Sequence, residues 1–259
     1  TGRPGQVVAF ADVDNDGDAD LLLDDTLYKQ DSGKFTKSTE IPTDGPCLSA
    51  AFVEVDGDGY PDVIVSRPGK GLSLYYNPGA DGGTFEDGSE DAGLRDEENG
   101  ATGSGYFEFC DWDLDGFADL AYTGGPGYQL WQNEDGIFIP TELDPEGDGF
   151  ANGTAAFGAI ASPVKPGFYA ISGSSKKLYI EKDEFIDDVT HYGNEIQDPI
   201  SGMKMAIAED LNADGTVDLY AANQNKGGSS FYVANRGYGS FMISEKYKAG
   251  KIFPPAVYN

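Results

Sequence analysis

Short apolar runs punctuate the chain, and four of them directly follow a cluster of acids. These are LLL (21–23), VIV (63–65), LAY (120–122) and LYAA (219–222), bounded by Gly, Asn, Arg or Asp. Runs this short predict buried β-strands, because a helix needs ten or more residues to bury a face. A second pattern recurs downstream: an apolar–aromatic pair, a polar turn, then Phe. It reads LYKQDSGKF (27–35), LYYNPGADGGTF (74–85), LWQNEDGIF (130–138) and FYVANRGYGSF (231–241). A fifth copy, LYIEKDEF (178–185), has no acidic cluster before it; the corresponding stretch is AAFGAIASPVKPGFYAISG (155–173). The first residues of these pairs lie 47, 56, 48 and 53 positions apart. A period near fifty with about four short strands per unit predicts an all-β array of propeller-blade type. The units run approximately 5–41, 46–88, 104–141, 153–188 and 203–244, within one domain spanning 1–259.

The acidic clusters are copies of one nine-residue phrase. DVDNDGDAD (12–20), EVDGDGYPD (54–62), DWDLDGFAD (111–119) and DLNADGTVD (210–218) place oxygen-bearing side chains at positions one, three, five and nine, with Gly at six. Carboxylates packed this densely repel one another unless a cation sits among them. Oxygen-only donors at alternate positions suit a hard ion, and Ca²⁺ is the natural candidate. Asp12, Asp14, Asp16 and Asp20 are therefore candidate ligands, with Glu54, Asp56, Asp58 and Asp62, with Asp111, Asp113, Asp115 and Asp119, and with Asp210, Asn212, Asp214 and Asp218. The backbone carbonyls of position seven, in Asp18, Tyr60, Phe117 and Thr216, complete the sets. Glycine at position six permits the sharp turn that turns this carbonyl inward. The phrase is not an EF-hand: position twelve is Leu23, Val65, Tyr122 or Ala221, none of which binds calcium, and the flanks are strands. The loops should differ. Glu54 is a longer arm that sits differently, and neutral Asn212 predicts a weaker fourth site.

D-x-D-x-D-G-x-x-D followed by L-[YW]…G-x-F resembles the FG-GAP/VCBS repeat, which builds the calcium-bearing β-propeller of integrin α subunits, several lectins and many secreted bacterial proteins. The resemblance covers five units, from about Gly5 to about Phe241. It implies four-stranded antiparallel blades, calcium ligands at the residues named above, and about four structural ions. It assigns no ion to the fourth unit. Two arrangements remain open: a five-bladed ring, or part of a larger propeller of the seven-bladed kind.

Composition narrows the function. With 36 Gly and 14 Pro the chain is turn-dense, and with 15 Tyr and 15 Phe its core is aromatic. A formal net charge of −28 argues against nucleic acid and against anionic membrane as partners, and no apolar stretch is long enough for membrane insertion. The acid-rich run 86–98 is expected to be a solvated loop. Calcium loops of modest affinity make sense outside cells, where calcium is plentiful, so a secreted or cell-surface location is expected. Cys47 and Cys110 are expected to be free, mostly buried thiols, and Asn152-Gly153-Thr154 is a glycosylation sequon. His191 is the single histidine, and no G-x-S-x-G elbow accompanies it. Trp112 is expected to point away from the ion, and Trp131 into the core. The expectation is a non-enzymatic, calcium-stabilised interaction or adhesion module that binds a protein or glycan. A glycan-specific lectin, and an accessory propeller of a larger secreted carbohydrate-active enzyme, are the alternatives.

Overall fold

The computed structural model describes residues 7–43, 45–95, 101, 103–122, 124, 129–142, 154–162, 165–172, 175–182, 185–188, 203–211, 213, 215, 217–223, 229–235 and 241–248. Every short apolar run is a strand, and every strand belongs to an antiparallel meander. The first sheet comprises β1 (Val8–Ala11), β2 (Asp20–Leu23), β3 (Thr26–Asp31) and β4 (Lys34–Glu40). The second comprises β5 (Ser49–Val53), β6 (Asp62–Arg67), β7 (Gly71–Tyr76) and β8 (Glu86–Asp87). The third comprises β9 (Phe107–Cys110), β10 (Asp119–Tyr122), β11 (Gln129–Glu134) and β12 (Ile137–Glu142). The fourth comprises β13 (Thr154–Ser162), β14 (Lys165–Ser172), β15 (Ser175–Lys182) and β16 (Phe185–Asp188). The fifth comprises β17 (Met203–Glu209), β18 (Asp218–Asn223), β19 (Ser229–Asn235) and β20 (Phe241–Lys248). The one helical turn among the described residues is a 3-10 turn at Gly79–Asp81. No described helix is long and apolar enough to cross a membrane. The repeat without an acidic loop keeps all four strands, as the sequence led us to expect.

Side-chain alternation explains how the sheets stack. All six residues of β6 are buried, so this strand is covered on both faces. Val63 and Val65 join a core with Leu22 and Leu27 of the first sheet. Ile64, pointing the other way, joins a core with Leu120 and Trp131 of the third. A strand buried on both faces loses the polar–apolar alternation and reads as a continuous apolar run, which is what VIV is. The first strands of neighbouring sheets touch: β1 meets β5, β9 meets β13, and β13 meets β17. Face-to-face sheets joined through their first strands are the arrangement of propeller blades.

In the second and third sheets the aromatic of the downstream pair points at the preceding sheet. Tyr75 lies opposite Val63 and packs towards the first sheet. Trp131 lies opposite Leu120 and packs towards the second. The Phe that ends the motif does the same: Phe85 is 4% exposed in the first core and Phe138 is 2% exposed in the second. In the first sheet, the register Leu21–Tyr28 and Gln30–Phe35 turns the same residues to the face away from the second sheet. Phe35 there is 44% exposed and Phe10, on the same face, 59%.

The acid-rich run 86–98 does not form a simple solvated loop. Glu86–Asp87 is a strand, and Ser89, Ala92 and Leu94 are fully buried. Ala92 and Leu94 plug the seam between the second and third sheets. Backbone bonds fix the plug: the Phe138 N–H donates to the Ala92 carbonyl, and the Ala101 N–H donates to the Leu94 carbonyl. Asp87 is held by Ser89 and by Arg95 at 2.8 Å. Cys47 and Cys110 are free, as expected, though half-buried rather than buried. Trp131 is a core residue, and Trp112 is 2% exposed. The sequon at Asn152 and His191 lie outside the described residues.

Candidate metal loops

Each acidic phrase bridges the first two strands of its sheet, with position nine as the first residue of the second strand. The first three loops share one backbone path, and the described residues of the fourth follow it. Position six has positive φ in every copy: Gly17 94°, Gly59 84°, Gly116 100° and Gly215 89°. Position four does too: Asn15 57°, Gly57 80°, Leu114 65° and Ala213 60°. Two left-handed residues in five coil the chain tightly enough to gather the intervening carboxylates.

Backbone amides hold the carboxylates in place. Position one accepts the N–H of position six: Gly17 to Asp12 at 2.9 Å, Gly116 to Asp111 at 3.1 Å and Gly215 to Asp210 at 2.9 Å. Glu54 is the exception, as its extra methylene predicts, and accepts the Gly57 N–H at 2.6 Å instead. Position five accepts the N–H of position seven, from Asp18 to Asp16, Tyr60 to Asp58 and Phe117 to Asp115. Position three accepts the N–H of position five in the second and third loops, at Asp56 and Asp113.

Position nine works differently. Asp20, Asp62, Asp119 and Asp218 are 0–1% exposed. One carboxylate oxygen accepts the N–H of position two, from Val13, Val55, Trp112 and Leu211 respectively. The other accepts an N–H from the third strand or its end: Gln30 at 2.7 Å, Asn77 at 2.8 Å and Asn133 at 2.8 Å. This carboxylate therefore ties the loop to the strand beyond it. Burial pushes Asp62 up to about 7 and Asp119 up to about 6, and raises Asp20 as well. Neighbouring loop carboxylates add a smaller push in each case: Asp56 and Asp58 on Asp62, for example.

Three loops gather oxygens closely enough for one ion. In the first, ligand atoms of Asp12, Asp14 and Asp20 lie within 4.8 Å of one another. In the second the group is Glu54, Asp56 and Asp58, and in the third Asp111, Asp113 and Asp115. A Ca–O bond is about 2.4 Å, so two ligands of a single ion stand at most about 4.8 Å apart. Two oxygens in these hollows are buried without a hydrogen-bond partner: Oδ1 of Asp14 and Oδ1 of Asp111. A buried, partnerless carboxylate oxygen is costly, and a hard cation would relieve that cost. In the fourth loop Asp210, Ala213, Gly215 and Asp218 follow the shared path, whereas Asn212, Asp214 and Thr216 lie outside the described residues.

The family model for the FG-GAP-like repeat matches residues 54–122. Residues 54–122 are an FG-GAP-like repeat. The match opens on position one of the second loop and closes on the last residue of β10 after the third. It thus contains two of the acidic loops and one complete passage from loop to aromatic pair to Phe. No curated protein matches the sequence. Among solved structures, an Agrocybe aegerita lectin, described as specifically recognising non-reducing terminal N-acetylglucosamine, superposes with a TM-score of 0.61 at 17% identity. That alignment covers 93% of this chain and 65% of the lectin, so the chain spans less than two thirds of the lectin's length. At this identity the superposition speaks to fold alone, and the four-stranded antiparallel sheets are consistent with propeller blades. A weaker superposition, TM-score 0.41 at 13% identity, relates 96% of the chain to 12% of a chain of the Photorhabdus luminescens Tc holotoxin pore.

Register exposes two asparagines and a lysine that motif spacing alone left unremarked. Asn77 sends Nδ2 to the Val13 carbonyl at 2.9 Å, reaching across to the preceding acidic loop, and Asn133 reaches the Val55 carbonyl at 3.4 Å. The signal was the N two residues after the aromatic in LYYN and LWQN. Lys29 donates to Asp14 at 2.7 Å.

At position four, Leu114 and Ala213 hold a left-handed backbone that neither residue type favours. Leu114 holds φ 65° while its side chain is 61% exposed, so nothing pays for the left-handed backbone. Asn tolerates that conformation, and Asn15 occupies the same position of the first loop. Leu114→Asn should stabilise the chain by ~0.5–1 kcal/mol, a rise in Tm of about 2–3 °C by differential scanning calorimetry. An unchanged or lower Tm would show that the leucine has a contact partner in solution.

Proposed function

We propose that this chain is a calcium-stabilised, non-enzymatic interaction module that works outside the cell, with its sheets arranged as the blades of a propeller. The observation that carries the reading is the pair of orphaned oxygens, on Asp14 and Asp111, in loops where backbone amides already hold other carboxylate oxygens. A hard divalent cation in each of these two loops would satisfy its orphaned oxygen. In this reading positions one, three, five and nine supply carboxylates or Asn212, and the carbonyl of position seven completes the shell. Each ion pins the hairpin between the first two strands of a sheet, so its role is structural. The exposed face of the first sheet, with Phe10 and Phe35, supports a propeller with more sheets than the five described.

The partner is a protein or a glycan, recognised by surfaces that the rigid sheets present. The Agrocybe aegerita lectin makes a glycan the first class to test, and a lectin proper is the second reading. Two measurements address this. Equilibrium dialysis against radiolabelled calcium should find one ion per acidic loop at millimolar free calcium, and no binding would remove the calcium reading. A glycan array should be probed with the calcium-loaded and the metal-free chain. Calcium-dependent binding to one glycan class supports the lectin; silence in both states leaves the protein-binding module.

A further inference from the structure

In the sheets that carry an acidic loop, the third strand has one equivalent position directly after the residue paired with the second strand. Register fixes it: Leu21 pairs with Tyr28, Val63 with Tyr75, Leu120 with Trp131 and Leu219 with Val233. The next residues, Lys29, Tyr76, Gln132 and Ala234, therefore occupy one equivalent position. Two of them touch position three of their own loop. Gln132 Nε2 donates to Asp113 Oδ2 at 3.2 Å, and Lys29 Nζ donates to Asp14 Oδ2 at 2.7 Å. One position thus reaches the same carboxylate in two repeats, with a neutral amide in one and a full positive charge in the other.

The first loop is arranged around that charge. In the second and third loops position three accepts the N–H of position five. In the first, the Asp16 N–H turns to Asp12 instead, at 3.0 Å, and Asp14 is left to Lys29. Asp14 Oδ1 stays buried and partnerless beside the group it forms with Asp12 and Asp20.

We propose that Lys29 is a resident counter-cation of the first loop. Resting on the calcium reading above, it holds Asp14 in position while no ion is bound and opposes the ion that replaces it. The same ammonium then acts with opposite signs in the two states. Without metal it lowers the repulsion among Asp12, Asp14 and Asp20. With metal, a single charge about 5 Å from a divalent ion in a water-like medium weakens binding roughly tenfold. The first loop thereby becomes a low-affinity site despite its four aspartates, and it fills after its neighbours as calcium rises.

The test compares the wild-type chain, Lys29→Gln, Asp14→Asn and the double variant. Each is followed by calorimetric calcium titration and by thermal melts of the metal-free and calcium-saturated chain. Lys29→Gln should tighten one site about tenfold, and that gain should vanish when Asp14→Asn is present. Its metal-free Tm should fall while its calcium-saturated Tm holds or rises. A purely structural lysine would shift both melts in the same direction. Wild-type calcium binding with affinities unchanged by Lys29→Gln would overturn the inference alone. No calcium binding by any variant would overturn the calcium reading and this inference together.

Discussion

Phe138→Ala should destabilise the chain by about 3–5 kcal/mol, and Phe35→Ala by less than about 1 kcal/mol. The two residues end the same motif and occupy the same register position, opposite Asn133 and Gln30 respectively. Their surroundings differ. Phe138 is 2% exposed among Ala92, Leu94 and Trp131, so truncation leaves a cavity in a seam sealed by three segments of chain. Phe35 is 44% exposed on the outer face of the first sheet and has little to lose. Phe85→Ala, in the seam between the first and second sheets, should behave like Phe138→Ala. Urea unfolding at equilibrium is the measurement, with the midpoint followed at constant m. The comparison also reads out the architecture. If Phe35→Ala costs as much as Phe138→Ala, the outer face of the first sheet is covered in solution, and that sheet has a neighbour on both sides.

How far the sequence carried the structure depended on whether the information was local. The loops were legible because every ligand-type residue lies within nine positions, and glycine at position six declares the turn. The strands were legible because a run such as VIV can be buried only in an extended chain covered on both faces. The run 86–98 was misread for a non-local reason. Its charge dominates any window, yet Ala92 and Leu94 are placed by backbone bonds to Phe138 and Ala101. The position-nine aspartates were read as ligands from spacing, which missed their bonds to Gln30, Asn77 and Asn133 on the third strand. Those partners lie 10, 15 and 14 residues away, at distances set by turn length and register rather than by motif. Lys29 is the same case: its contact with Asp14 exists only once β2 and β3 are paired.

Removing calcium should lower the melting temperature more than any single substitution proposed above, and by an amount that grows with pH. A ligand that binds only the folded state adds about 2.7 kcal/mol per site at a hundredfold excess over Kd. Three filled sites therefore contribute roughly 8 kcal/mol, a shift of at least about 15 °C for a chain of this size. The pH dependence follows from position nine. Burial raises Asp62 from 3.8 to about 7 and Asp119 from 3.8 to about 6 in the metal-free fold. A carboxyl whose pKa is raised by folding binds its proton more tightly in the folded chain than in the unfolded one. Its favourable contribution is complete below about pH 4 and is lost as pH climbs through 6 and 7. The metal-free chain should thus lose stability between pH 4 and pH 7 at these two groups. A bound divalent ion reverses the sign, because it favours the ionised carboxylates and expels their protons. Melts of the dialysed, metal-free chain and of the calcium-saturated chain should therefore diverge as pH rises from 5 to 8. Two curves that run parallel across that range would mean that the buried carboxylates do not sense the ion, and the loops would then be acidic turns held by their amides alone.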